Sequence, residues 1–204
     1  VFNIPVSAQD PQLGPSDALV TIVMFGDFQD HYTLQARPII EGLRREYGDD
    51  LRIVWKNTPV PDLHDDAVAA AMLSMEAFAE KGADGFWAAH RMLLDNQGAL
   101  TLVDLERYGA QLGLDHDKVH KALVDTVYKE KVADDLDALE RIDVAVQVAH
   151  LDAVLNEVVG EVLGHPLGQR GDQHALVLVD PPADLVHEVV DLTVGRSDLD
   201  NGID

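Results

Sequence analysis

Residues 30–33 bring together side chains that could transfer protons or bind a metal ion. Asp30, His31 and Tyr32 are consecutive. Histidine titrates near neutral pH and a carboxylate can orient its imidazole, so this group could act as a general acid and base or as metal ligands. The alternative, which we favour, is a helix cap beside a solvent-exposed histidine, with no chemistry at either residue.

A second pair of histidines has the spacing of a metal site. His116 and His120 are four residues apart, with Asp117 between them, so both imidazoles would lie on one face of a helix, as in many zinc sites. The sequence offers no third ligand. We therefore predict an exposed, polar start of a helix here and no metal site in the chain.

For two further histidines, His64 and His90, we predict structural roles. His64, Asp65 and Asp66 are consecutive, and acidic residues are favoured at a helix N-terminus, so this run predicts a helix start rather than a ligand cluster. His90 follows Phe86 and Trp87 closely. We predict that it packs with these aromatic side chains in the core.

The composition excludes several classes of function. None of the 204 residues is cysteine, so the chain has no disulfide, thiolate nucleophile or thiolate metal ligand. Its formal net charge of −22 argues against a nucleic-acid partner. Phosphate-binding glycine loops and the serine-hydrolase G-x-S-x-G motif are absent, and we predict no cofactor.

No apolar run approaches the roughly 20 residues needed to cross a bilayer, so we predict no membrane insertion. The acidic character continues into residues 134–140, where four carboxylates recur at helical spacing: Asp134, Asp135, Asp137 and Glu140. This pattern predicts a solvated helix face. A basic partner or weak calcium binding is the alternative.

The elements that position residues 30–33 form a βαβ unit. Ala18–Phe25 is a short, β-branched apolar run, typical of a strand buried on both faces. Helical spacing follows over Thr33–Tyr47, and Leu51–Lys56 predicts a second strand. Strands joined by a helical crossover should be parallel.

Helical patterns then continue to about residue 148. The predicted helices are Ala67–Glu80, Phe86–Asp95, Leu102–Leu112, Asp117–Val124 and Lys129–Val148. Thr101 and Asp115 precede two of them as N-caps, and Gly113 is placed to end the first of these two.

The last third of the chain has a different composition. All 11 aromatic residues lie at or before Tyr128. His174–Val179 predicts a strand, and Ala183–Asp191 predicts a short helix after a proline pair.

The order of these motifs resembles a known family. A strand leads into Gly26-Asp27-Phe28-Gln29, and Asp30-His31-Tyr32-Thr33 opens a helix that contains Pro38. This resembles the DsbA-like thiol–disulfide oxidoreductases of the thioredoxin superfamily, which carry D-F-Q-C-P-Y-C at this place. The likeness covers about residues 14–140. It continues through Glu46-Tyr47-Gly48-Asp49, Pro59-Val60-Pro61, His64, Gly85-Phe86-Trp87-Ala88-Ala89-His90, Leu93–Gln97, Leu105–Tyr108 and Leu112–Asp115.

Two departures limit what the resemblance implies. Asp30 and Thr33 stand where the family has its catalytic cysteines, and neither a carboxylate nor a hydroxyl can exchange a disulfide. The family also places a cis-proline beside the active pair. The nearest match here is Pro166, about 20 residues later than the family spacing predicts, and an ordinary turn proline is the alternative.

The resemblance implies an α/β, thioredoxin-like fold with an inserted helical subdomain. We predict an N-terminal extension over 1–16, a βαβ half over 17–64, the helical insertion over 65–140, and an atypical C-terminal half over 141–204.

Two main functions remain open. The chain is either a DsbA-like protein that has become redox-inactive, through divergence or through engineering, or a module that binds a peptide or protein partner without chemistry. In the second case Phe28, His31, Tyr32 and Pro166 are the expected binding residues, around the former catalytic positions Asp30 and Thr33. A metal or acid–base enzyme using Asp30 and His31 is a third hypothesis. Because the family is mostly extracytoplasmic, the resemblance favours a periplasmic or secreted location.

Overall fold

The computed structural model describes residues 4–140 and two C-terminal strands, 173–179 and 188–194. The strands form one sheet in the order β1-β3-β2-β4-β5. Their bounds are Gln12–Leu13 for β1, Val20–Gly26 for β2, Leu51–Asn57 for β3, Gln173–Val179 for β4 and Glu188–Val194 for β5. The three central strands are parallel, whereas the outer strands β1 and β5 are antiparallel to their neighbours.

The predicted βαβ unit is confirmed. Every residue of β2 and β3 is buried, as expected for apolar strands covered on both faces. Helix α1, His31–Tyr47, connects them and begins two residues earlier than the sequence pattern predicts. A short 3₁₀ turn, Gly48–Asp50, then leads into β3.

Four more helices pack beside this unit: α2 Ala67–Asp95, α3 Leu102–Gln111, α4 His116–Asp125 and α5 Lys129–Glu140. The two predicted helices 67–80 and 86–95 are confirmed as the two halves of α2, which are separated by a break at Gly82 (φ 63°, ψ −154°), a conformation that glycine tolerates. The N-caps Thr101 and Asp115 are confirmed, since their side chains accept backbone N–H groups of the following turns. Gly113 follows α3 with φ 67°.

The C-terminal strands confirm one prediction and correct another. Strand β4 matches the predicted His174–Val179. The predicted helix Ala183–Asp191 is wrong over residues 188–191, which belong to β5. Three of the seven residues of β5 are valine, which favours a strand, and its backbone pairs with β4 on one side. Residues 180–187, and residues 141–148 of the predicted fifth helix, lie outside the described part of the chain.

A short strand that the sequence pattern did not predict holds the N-terminal segment against the sheet. Gln12 and Leu13 pair with Val54 and Ile53 of β3. The carbonyl of Pro11 accepts the N–H of Trp55 at 2.9 Å. The segment therefore covers the outer edge of β3.

The solvated face predicted for residues 134–140 is wrong for Asp135, whose side chain is 1% exposed. Lys56 Nζ lies 2.9 Å from Asp10 and 3.2 Å from Asp135, and Lys131 contacts both carboxylates as well. Asp135 also accepts the N–H of Asn57 at 3.0 Å. Two cations and two carboxylates thus form a buried, charge-balanced cluster that joins the N-terminal segment, β3 and α5.

The pKa values of the two carboxyl groups in this cluster shift in opposite directions. Burial opposes ionisation of Asp10, but the hydrogen bond and charge of Lys131, with the charge of Lys56, hold its pKa below the usual value. Burial raises the pKa of Asp135 despite the same two lysines.

In the described residues, no helix has the length and apolar character required to span a membrane.

Candidate functional site

The loop between β2 and α1 contains the residues predicted to form the site. Asp30 is the N-cap of α1, with extended backbone angles (φ −76°, ψ 132°), and its carboxylate accepts the N–H of Tyr32 at 2.5 Å. Helix N-termini stabilise negative charge because their first N–H groups lack partners. The carboxylate of Asp30 therefore occupies the place where the resemblance puts a reactive thiolate.

Thr33, at the second position where the resemblance puts a cysteine, faces the protein interior. Its side chain is buried, and its hydroxyl oxygen accepts the N–H of Asp27 at 3.2 Å. This contact holds the first turn of α1 against the loop that precedes it. The geometry gives Thr33 a structural role and no accessible position from which to react.

Asp27 organises the site, a role that the sequence analysis did not assign to it although it belongs to the family-like motif 26–29. Its carboxylate is 2% exposed and accepts the N–H of Gln29 at 2.7 Å and that of Val60 at 2.8 Å. The imidazole Nδ1 of His64 lies 2.9 Å from the same carboxylate. Asp27 thus binds the loop after β3 to the loop after β2.

The run His64-Asp65-Asp66 directly precedes α2, as predicted, but its residues act differently from the expectation. Asp66 makes no side-chain cap. Instead the side-chain carbonyl of Gln29 accepts the N–H of Asp66 at 2.7 Å. A residue of the site loop therefore caps the N-terminus of α2.

Gln97, in the segment after α2, holds the site loop from another direction. Its side-chain amide donates to the carbonyl of Phe28 at 2.9 Å and to that of Asp30 at 2.7 Å. The loop is therefore fixed by side chains from two separate segments of the chain. The sequence pattern gave no signal for this contact, because it joins residues 67 positions apart.

Phe28 does not have the surface position expected of a binding residue. Its side chain is 1% exposed and stacks on Trp55, with ring centroids 5.1 Å apart. Burying an aromatic side chain of this size stabilises the fold more than leaving it exposed to solvent would. Phe28 therefore supports the site from below and does not present its ring to a partner.

His90 lies in the same aromatic cluster, and its predicted structural role is confirmed. Its ring centroid is 4.7 Å from that of Trp55 and 5.0 Å from that of Trp87. Burial, with smaller contributions from the charges of Arg37 and Arg91, lowers the pKa of His90 to about 3. His90 is therefore neutral at physiological pH.

His31 and Tyr32 are the exposed members of the predicted site. The Nε2 atom of His31 lies 2.8 Å from the side-chain amide of Gln35, and the ring centroids of His31 and Tyr32 are 5.7 Å apart. Tyr32 is 37% exposed. Pro166, the remaining predicted binding residue, lies outside the described part of the chain.

The second histidine pair is also on the surface. The rings of His116 and His120 are nearly parallel, with centroids 6.5 Å apart, and Nδ1 of His120 lies 2.7 Å from Glu106. Within the described ranges, no group of three or more histidine, cysteine, aspartate or glutamate side chains is arranged to hold a metal ion.

Comparison with solved structures identifies the fold of the chain. The chain has a thioredoxin-like α/β fold with a helical insertion, and its structural neighbours are DsbA-like thiol–disulfide oxidoreductases. BdbD from Bacillus subtilis superposes with a TM-score of 0.69 at 19% identity, over 80% of this chain and 98% of BdbD. A thioredoxin-like oxidoreductase from Silicibacter pomeroyi gives a TM-score of 0.63 at 20% identity, over 78% of this chain and 94% of that one.

The curated proteins that are similar to the chain in sequence are named Na⁺/H⁺ antiporters. The chain is 38% identical over 143 residues to the Na⁺/H⁺ antiporter NhaA 3 of Salinispora tropica, which is 70% of this chain and 21% of that protein. It is 36% identical over 143 residues to NhaA 1 of Salinispora arenicola, with the same coverage. The matched part is thus about a fifth of the length of these relatives. No family model matches the chain.

Proposed function

We propose that this chain is a thioredoxin-like domain that binds a peptide or protein partner and exchanges no disulfides. The observation that carries the proposal is the carboxylate of Asp30, which caps α1 where a DsbA-like protein presents its thiolate. Disulfide exchange requires a thiolate nucleophile, and the chain contains none. It is therefore a cysteine-free pseudoenzyme of DsbA-like ancestry.

The other contacts of the site support partner binding because they hold the loop before α1 in one position. Asp27 and Gln97 hold the loop by side-chain hydrogen bonds, and Phe28 anchors it in the core. Loops fixed in this way lose little conformational entropy when a partner binds. His31 and Tyr32 stay exposed at the surface of this framework.

The hypothesis of a metal or acid–base enzyme has less support. The carboxylate of Asp30 accepts a backbone N–H, and the ring of His31 pairs with Gln35 rather than with Asp30. A carboxylate that orients a catalytic imidazole would contact the ring. The two residues therefore lack the arrangement that the hypothesis needs.

The relatives favour a role beside a cation antiporter. Because the chain matches about a fifth of proteins named Na⁺/H⁺ antiporter, we propose that it serves as an accessory domain of such a protein. Transport itself is not assigned to these residues. The expected extracytoplasmic location also remains a proposal, supported by a likeness to a periplasmic thioredoxin-like protein from Salmonella enterica.

Peptide binding by the full chain tests the proposed function. Short fluorescent peptides of varied sequence are titrated with the protein and followed by anisotropy. We expect saturable binding by a subset, a clear loss in Tyr32→Ala and a modest reduction in Asp30→Ala. Val124→Ala, which truncates an exposed apolar side chain on α4, is the matched control and should change nothing. Flat titrations across the library would refute the proposal.

A further inference from the structure

The helical insertion contains a cleft between two of its helices. The cleft has a volume of about 470 Å³ and lies between the second half of α2 and α3. Helix α2 contributes Arg91, Met92 and Asp95 to its lining, and α3 contributes Arg107, Tyr108 and Gln111. Small molecules usually bind in clefts of roughly 300 to 1,000 Å³ in which a few polar groups converge.

The lining of this cleft is more basic than the chain as a whole. The chain has 37 acidic residues and 15 lysines and arginines, whereas the lining has two arginines and one carboxylate. That carboxylate, Asp95, lies 2.5 Å from Nη1 of Arg37, which is also 3.8 Å from Glu41. Because Arg37 comes from α1 and offsets the charge of Asp95, the charges of Arg91 and Arg107 stay available inside the cleft.

Arg91, on the α2 side, is exposed. Within the described part of the chain, its guanidinium group forms no ion pair and no hydrogen bond with another residue. A cationic side chain in a cleft attracts anions from solution more strongly than one on a convex surface, because the low-dielectric walls focus its field. Arg91 can therefore bind an anion from solution without first breaking an ion pair.

Arg107, on the α3 side, is held in position by its neighbours. Its Nη2 atom donates to Asp104 at 2.7 Å and to the hydroxyl of Tyr108 at 3.4 Å, and its Cζ atom lies 5.1 Å from the centroid of the Tyr108 ring. A guanidinium group has five N–H donors, so these contacts leave Nε and Nη1 for a further acceptor. A side chain already held in this way loses little conformational entropy when a ligand binds.

We propose that this cleft binds a small organic anion, a compact molecule that carries a carboxylate or a phosphate group. The guanidinium groups of Arg91 and Arg107 bind the anionic group from opposite helices, since arginine recognises both kinds of group through paired N–H donors. Met92 contacts the body of the molecule, and the side-chain amide of Gln111 offers it a neutral donor and acceptor. This site is independent of the partner-binding function proposed above.

Three probes of similar shape test the requirement for negative charge. Benzoate carries a carboxylate, phenyl phosphate carries a phosphate, and benzamide is the neutral counterpart of benzoate. Each is titrated into the ¹⁵N-labelled full chain at constant ionic strength, in a buffer without phosphate or carboxylate. We expect at least one anion to cause saturable amide shifts in residues 88–96 and 107–111, and benzamide to bind roughly tenfold more weakly. The anion that binds more tightly identifies the preferred group.

Arginine variants test whether the anion binds in this cleft. Arg91→Gln should weaken binding of the preferred anion roughly tenfold. Arg45→Gln, which removes an exposed arginine from the last turn of α1, is the matched control and should change nothing. Tyr32→Ala, which should impair partner binding, should leave anion binding intact. Absence of saturable shifts with both anions, equal binding of benzamide, or equal effects of the two arginine substitutions overturns this inference and leaves the proposed function standing.

Discussion

The buried carboxylate of Asp27 lies 2.9 Å from Nδ1 of His64 and joins the two loops that follow the central strands β2 and β3. The same carboxylate accepts the backbone N–H groups of Gln29 and Val60. One side chain therefore sets the position of the loop before α1 relative to the loop before α2. This contact fixes the relative position of the two loops from which the candidate site is built.

Removing the imidazole should loosen this junction. We expect His64→Ala to lower the free energy of unfolding by about 1.5 to 3 kcal/mol, the typical contribution of a hydrogen bond to a charged group. Urea denaturation followed by circular dichroism measures the change. His116→Ala, which removes an exposed histidine, is the control and should lie within about 0.5 kcal/mol of the parent. Equal effects of the two substitutions would show that the Asp27 contact is dispensable.

His90 should make stability depend on pH between about 6.5 and about 3. Its pKa is lowered to about 3 in the folded chain, so the unfolded chain binds a proton below its ordinary value of 6.5 while the folded chain does not. The free energy of unfolding therefore falls with falling pH, by up to about 1.4 kcal/mol per unit. His90→Leu should remove this slope and His116→Asn should keep it. A slope unchanged in His90→Leu would contradict the assignment.

Removing one charged side chain from the buried cluster should lower the free energy of unfolding of the protein. Lys56→Met leaves Asp10 and Asp135 with only Lys131 to balance them, and we expect a loss of about 3 to 5 kcal/mol in unfolding free energy. Lys118→Met, at an exposed pair, should cost less than about 1 kcal/mol. Adding Asp10→Asn to Lys56→Met should recover part of the loss. No recovery would mean that packing, not unbalanced charge, explains the effect.

The two positions that the resemblance assigns to catalytic cysteines should support thiol chemistry when cysteine is placed there. In the double variant Asp30→Cys with Thr33→Cys, the thiol at position 30 lies at the N-terminus of α1, where helix N–H groups favour a thiolate. We expect a thiol pKa below the usual value of about 8.5, with position 33 resolving the mixed disulfide. Alkylation rate against pH and insulin reduction measure these properties. A normal thiol pKa and no insulin reduction would contradict the DsbA-like geometry of the loop.

Local sequence patterns predicted the elements that carry the site, but not the contacts between them. The β-branched runs defined β2 and β3, and the caps Thr101 and Asp115 depend only on neighbouring residues. In contrast, the contacts of Asp27 and Gln97 join distant segments. Such pairing has no periodic signal in the chain.

The two wrong predictions have the same origin. Asp135 has the spacing of a solvated helix face, yet Lys56, 79 residues away, makes its burial possible. Residues 188–191 follow a proline pair and were expected to be helical, but pairing with β4 makes them part of a strand. Tertiary partners overrode the local preference in both places.

The central claim, that the site around Asp30 binds a partner without chemistry, is tested most directly by an NMR titration of the ¹⁵N-labelled full chain with each peptide of the varied library. The account predicts that a subset of these peptides causes saturable shifts in the amides of residues 30–35, with little change in α4. Absence of shifts, or shifts centred on α4 and α5, would contradict it.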